Sequence, residues 1–157
     1  MSKIRYALSV FGRPRLTEQD PEATNSHKLQ LVINTLMHLI EGVNLKDKTL
    51  NKQLRASTGL PSLNQAIVES TLMEAWKAIA YGLPSAQFLT PVQYKNQTRA
   101  KCNKVLSVPK IRNKHREWFA WKATKLWNAS ITDLNKAETL AQAKSVIKNI
   151  AKEYMFE

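Results

Sequence analysis

Cysteine is nearly missing from this chain: Cys102 is the only one in 157 residues, which excludes an internal disulfide and suits a reducing compartment. Glycine is scarce too, with four residues. There is no glycine-rich phosphate loop and no Gly-x-Ser-x-Gly turn to expose a serine nucleophile. No two aspartates are adjacent, and no acidic triad is present to hold paired magnesium ions. His27, His38 and His115 lie far apart, and Cys102 has no second cysteine for a metal knuckle. A Cys102–His115 pair assembled by the fold is the remaining alternative. No apolar run approaches the ~20 residues that cross a bilayer, and the apolar stretch within Met1–Gly12 is too short for a secretory signal. These absences give four expectations: no catalytic activity, no metal or cofactor, no membrane, and a nuclear or cytoplasmic location.

What the chain has in excess is positive charge. Its 24 Lys and Arg outnumber 12 Asp and Glu, for a formal net charge of +12, while 43% hydrophobic and 23% charged residues describe an ordinary globular chain. Ten of the basic residues fall between Lys95 and Lys125 against one acid, Glu117, and that run closes on two of the four tryptophans, Trp118 and Trp121, with Trp127 just beyond it. A phosphate backbone rewards such clustering, because each neutralised phosphate releases condensed counterions.

Periodicity predicts helices. From about Thr24 to Glu41, Leu29, Val32, Ile33, Leu36, Met37 and Ile40 recur at helical spacing, predicting one buried face, with Thr24 or Asn25 to start the helix and Gly42 to end it. A shorter helix after Asp47 places Leu50 and Leu54 four apart and stops near Gly59. Pro61 then precedes Ser62-Leu63-Asn64-Gln65, a capping box that opens a helix through about Ala80. The wide apolar arc of that helix, Ile67, Val68, Leu72, Ala75, Trp76 and Ile79, predicts a central position. Gly82, Pro84 and Pro91 punctuate a connection as far as Lys104, and Val105–Val108 is a short extended candidate stopped by Pro109. Helix returns from about Lys114 to Ser130 and from Lys136 to Tyr154, the latter with Leu140, Ala143, Ile147, Ile150 and Tyr154 on one face. The Ile4–Phe11 stretch fits helix or strand. The expected fold is mainly α: a helical bundle over 1–82, a connecting loop over 83–104 and a basic helical module over 105–157, with at most a short β segment.

At 100° per residue, Phe119, Ala123, Leu126 and Trp127 share one side of the Lys114–Ser130 helix, while Lys114, Trp118, Trp121 and Lys125 share the other. If the first face packs inward, the second offers two indoles flanked by ammonium groups, and such rings stack on unpaired bases. The plainer reading makes Trp118 and Trp121 a second packing contact. In the last helix Lys144, Lys148 and Lys152 step by four along the edge of the apolar stripe, either a phosphate track or an ordinary solvated face.

Several short motifs recur in one order. Ser2-Lys3-Ile4-Arg5-Tyr6-Ala7-Leu8 with Gly12, Leu29-Gln30-Leu31 with Asn34, Lys46-Asp47-Lys48-Thr49, Leu63-Asn64-Gln65 and Glu74-Ala75-Trp76-Lys77-Ala78 form the first set. Leu106-Ser107-Val108-Pro109-Lys110-Ile111-Arg112, Phe119 and Lys125-Leu126-Trp127-Asn128 form the second, before a closing amphipathic helix that ends in Phe156. This succession resembles the region after the palm in reverse transcriptases of non-LTR retrotransposons, the long interspersed elements of animals. Ala7 stands where that family has glycine, and Asn128-Ala129-Ser130 replaces its commoner Asn-Ser-Leu-Pro. The resemblance implies a thumb followed by a small helical module, parts that grip template and primer while the catalytic aspartates lie upstream.

The expected function is therefore non-catalytic binding of RNA or an RNA–DNA hybrid. Lys95, Arg99, Lys101, Lys104, Lys110, Arg112, Lys114, Arg116, Lys122 and Lys125 are the phosphate candidates, with Trp118 and Trp121 stacking or bracing. The alternative is a helical interaction module that docks on a polymerase palm or another acidic partner.

Overall fold

The third helix in chain order, α3 (Leu63–Tyr81), organises the others. The Ser62 hydroxyl accepts the Gln65 N–H at 3.1 Å while Gln65 Oε1 accepts the Ser62 N–H at 2.8 Å, completing the expected capping box. A cap of this kind stabilises a helix by about 1 kcal/mol. Gly82, at φ 63°, ends the helix in a left-handed conformation that a side chain resists. Leu63, Ile67, Val68, Leu72, Ala75, Trp76 and Ala78 are all buried, which makes α3 the expected central helix.

The computed structural model describes residues 12, 14–16, 24–44, 51–92, 105–110 and 118–154. They form α1 (Thr24–Glu41), α2 (Asn51–Thr58), α3, a 3-10 helix (Pro84–Phe88), α4 (Phe119–Ala129), the single turn α5 (Ile131–Leu134) and α6 (Leu140–Glu153). The fold is mainly α, as expected, and no helix among the described residues is long and apolar enough to cross a membrane. The Ile4–Phe11 stretch and Leu50 lie outside the described residues.

Helices α1, α4 and α6 all pack on α3. One buried cluster joins Val68, Leu72, Ala75 and Trp76 of α3 to Ala123, Leu126 and Trp127 of α4 and to Ala143, Ile147 and Ile150 of α6. It therefore takes residues from both sides of the 83–104 stretch. Within that stretch, Pro84–Phe88 forms the 3-10 helix and Leu89 enters the cluster. The extended Val105–Val108 candidate forms one isolated antiparallel bridge, Leu106 with Pro91. Asn128 holds it in place: its Nδ2 donates to the Leu106 carbonyl at 2.7 Å and its Oδ1 accepts the Leu106 N–H at 2.9 Å. Helix α6 begins at Leu140 rather than Lys136, because Thr139 and Gln142 build a second capping box there.

The expected buried stripe of α1 is a correction. Met37 is fully buried and Ile33 half-buried, but Leu29, Val32, Leu36 and Ile40 are 47–63% exposed. A polar seam sets the orientation instead. Gln30 Oε1 accepts the Leu63 N–H at 2.8 Å, its Nε2 donates to Asn34 Oδ1 at 2.8 Å, and Arg55 Nη2 donates to the same oxygen at 3.2 Å. Turning the leucines inward would strip a partner from the first N–H of α3, at about 1–3 kcal/mol, and from the buried Arg55.

Asn64 closes the fold. Its Oδ1 accepts the Arg15 N–H at 2.8 Å, and its Nδ2 donates to the carbonyls of Arg15 at 3.1 Å and Tyr154 at 2.8 Å. One side chain thus joins an early segment, the central helix and the end of α6. Replacing Asn64 by Leu removes the hydrogen bonds it makes to all three backbone groups, and chemical denaturation should show a loss of about 2–4 kcal/mol.

Candidate nucleic-acid interface

The basic residues divide by the face of the helix they occupy. In α4 the expected core side holds: Ala123, Leu126 and Trp127 are buried and Phe119 packs against them. Trp121 is half-buried and Lys125 exposed, on the opposite side. Trp118 precedes the helix rather than sitting on its surface. It takes the N-cap position with extended backbone, its carbonyl accepts the Trp121 and Lys122 N–H groups at 3.1 Å, and 53% of the residue is exposed. Trp118 therefore stands ahead of the α4 face that carries Trp121 and Lys125, and Lys114, the fourth member of the expected face, lies outside the described residues.

Lys122 is a correction among the phosphate candidates. It is 0% exposed, and its Nζ donates to the Gly12 carbonyl at 2.6 Å. A side chain in that position cannot meet a phosphate from solvent. Its methylenes fill the boundary of the core while its ammonium fixes an early segment 110 residues away in sequence. On the helical wheel Lys122 lies only about 40° from Leu126, at the edge of the core face, but the Gly12 carbonyl that receives its ammonium is brought there by the tertiary fold.

Lys110 is exposed, whereas Lys95, Arg99, Lys101, Lys104, Arg112, Lys114 and Arg116 lie outside the described residues. Cys102 and His115 do as well. Among the described residues no group of three His, Cys, Asp or Glu side chains is placed to hold a metal ion.

Helix α6 presents Lys144, Lys148 and Lys152 on its exposed edge, while Ala143, Ile147, Ile150 and Ala151 are buried. Successive lysines are about 6 Å apart along the axis. None of the three forms an ion pair among the described residues, where the ion pair present is Lys136 with Asp133 at 3.1 Å. Lys148 and Lys152 also line a cleft of about 550 Å³ between α6, α3, α2 and the Gly59–Pro61 turn, a site that periodicity alone did not disclose. A second cavity of about 210 Å³ lies between Trp76, Trp127 and Leu134. Tyr154, at the end of α6, has its phenol pushed above the usual 10.0, first by burial and then by the Glu153 carboxylate. Its neutral form belongs to the folded state, so this contribution is intact below pH 10 and declines as the phenol ionises at higher pH.

The two lysines of α4 should separate cleanly. Lys125→Met is expected to reduce the salt slope of RNA binding by about one phosphate's worth without loss of stability. Lys122→Met is expected to leave that slope unchanged and to lower the denaturation midpoint, by about 1–3 kcal/mol in stability. The chain matches no known protein family, and neither a curated protein nor a solved structure proved similar to it.

Proposed function

We propose that this protein binds RNA or an RNA–DNA hybrid without catalysing a reaction, as the thumb-like resemblance implies. The observation that carries the reading is the outward placement of its positive charge. Lys110, Lys125, Lys144, Lys148 and Lys152 all reach solvent, and Trp118, at the end of the basic run, exposes half its surface. Cations that only decorate a surface are usually interspersed with acids, whereas Lys95–Lys125 contains a single one. Phosphate contacts made this way carry little sequence information, so affinity should depend strongly on salt and weakly on sequence.

Fluorescence anisotropy with single-stranded RNA, duplex and hybrid oligonucleotides across a salt series tests the reading. Log affinity should fall steeply with log salt, and reversing Lys110, Arg112, Lys114 and Arg116 to Glu should abolish binding. A flat salt dependence would end the proposal. Trp118→Ala should cost about 1–3 kcal/mol of single-strand affinity if the indole stacks on a base, with the melting temperature unchanged.

A second reading, a helical module that docks on a polymerase palm or similar protein, is favoured by α1. From Leu29 to Ile40 this helix has no Asp, Glu, Lys or Arg, and Leu29, Leu31, Val32, Leu36, Leu39 and Ile40 are all exposed. An exposed apolar face this wide, opposite the Gln30–Asn34 seam, is characteristic of one that is covered. Under this reading Leu36→Ser leaves the stability of the isolated chain within about 0.5 kcal/mol and weakens partner binding. A large loss of stability would instead assign the face to the chain's own packing.

A further inference from the structure

The cleft beside α6 combines three kinds of surface that few ligands match together. Lys148 and Lys152, one helical turn apart, supply two exposed ammonium groups. Leu60, Pro61, Ala56 and Ala151 supply an apolar patch. Gln65 and Glu69 stand on the α3 side, and the Gln65 Oε1 already accepts the Ser62 N–H, so its amide faces a ligand as a donor while Glu69 faces it as an acceptor. Arg55, buried and bonded through Nη2 to Asn34, adds positive charge behind the patch. The volume, about 550 Å³, lies within the range of small-ligand sites.

We infer that this cleft is a nucleotide subsite, holding one nucleoside monophosphate unit with its phosphate on Lys148 and Lys152 and its base against Leu60 and Pro61. A purely apolar ligand would leave the two ammoniums unused, and a bare anion would leave the apolar patch unused. A nucleotide satisfies both, and its base edge carries the mixed donors and acceptors that Gln65 and Glu69 complement. The carboxylate selects for an exocyclic amine, so adenine, cytosine and guanine fit better than uracil. This inference rests on the nucleic-acid reading and deepens it: a strand following the lysine row from Lys144 turns one nucleotide into the cleft.

The test is a titration of the full isotope-labelled chain with AMP, UMP, adenosine and inorganic phosphate at low salt, followed by amide chemical shifts, with RNA binding measured in parallel. AMP should shift Gly59, Gln65 and Ala151 and saturate with Kd on the order of 1 mM. UMP should bind several-fold more weakly, and Glu69→Gln should narrow that difference. Lys148→Gln with Lys152→Gln, on an exposed helix edge, should abolish saturation while Lys110→Gln does not. If inorganic phosphate reproduces the AMP response at equal concentration, or AMP binding survives the paired substitution, the subsite is overturned. RNA binding without AMP occupancy removes the subsite and leaves the general function standing. AMP occupancy without oligonucleotide binding supports the cleft as a mononucleotide site and removes the strand.

Discussion

The carboxamide of Asn64 is the interaction on which the rest of this structure depends. Three backbone groups that cannot pair within any helix, the N–H and C=O of Arg15 and the C=O of Tyr154, all end on it. Buried backbone groups need such partners, and one side chain supplies a partner to all three. Asn64 lies in the first turn of α3, just after the Ser62 cap and beside Leu63, whose N–H is held by Gln30 of α1. The start of one helix therefore fixes the orientation of α1, the path of the early segment and the end of α6. The hydrophobic cluster supplies most of the favourable free energy, but it is not directional. The polar start of α3 decides which of several compact packings is adopted.

The same competition explains the exposed leucines of α1. Fully burying one leucine is worth about 1.5–3 kcal/mol, so several could together outweigh the Gln30–Leu63 hydrogen bond. They do not, because the core beneath α1 already has Met37 in place and the other sides of α3 are taken by α4, α6 and the 3-10 helix. A bundle this small has too few helices to cover every apolar face that its sequence generates.

Much of the architecture was legible in the residues. The boundaries of α1, the Ser62–Gln65 cap, the left-handed glycine stops and the central place of α3 all follow from local signals that agree with one another. The inward face of α4 was legible for the same reason, since Ala123, Leu126 and Trp127 repeat at helical spacing. Three features were not. The direction in which α1 presents its stripe depends on a hydrogen bond 33 residues distant in sequence, between Leu63 and Gln30. The burial of Lys122 depends on Gly12. The cleft beside α6 needs three separate stretches of chain to be brought together. Periodicity reports what a helix prefers to hide, not which neighbour is there to hide it.

The isolated bridge between Pro91 and Leu106 has a consequence for colloidal behaviour. Extended segments with unpaired backbone invite strand addition from other molecules, and Val105–Val108 has the composition of such a template. The Val92 N–H donates to the Val105 carbonyl at 2.9 Å and the Ser107 N–H to the Thr90 carbonyl at 2.7 Å, Asn128 occupies both main-chain groups of Leu106, and Pro109 ends the segment three residues later. Intermolecular pairing thus finds no continuous row of donors and acceptors on which to grow. A chain that already displays a bare apolar helix is in this way spared a second route to aggregation.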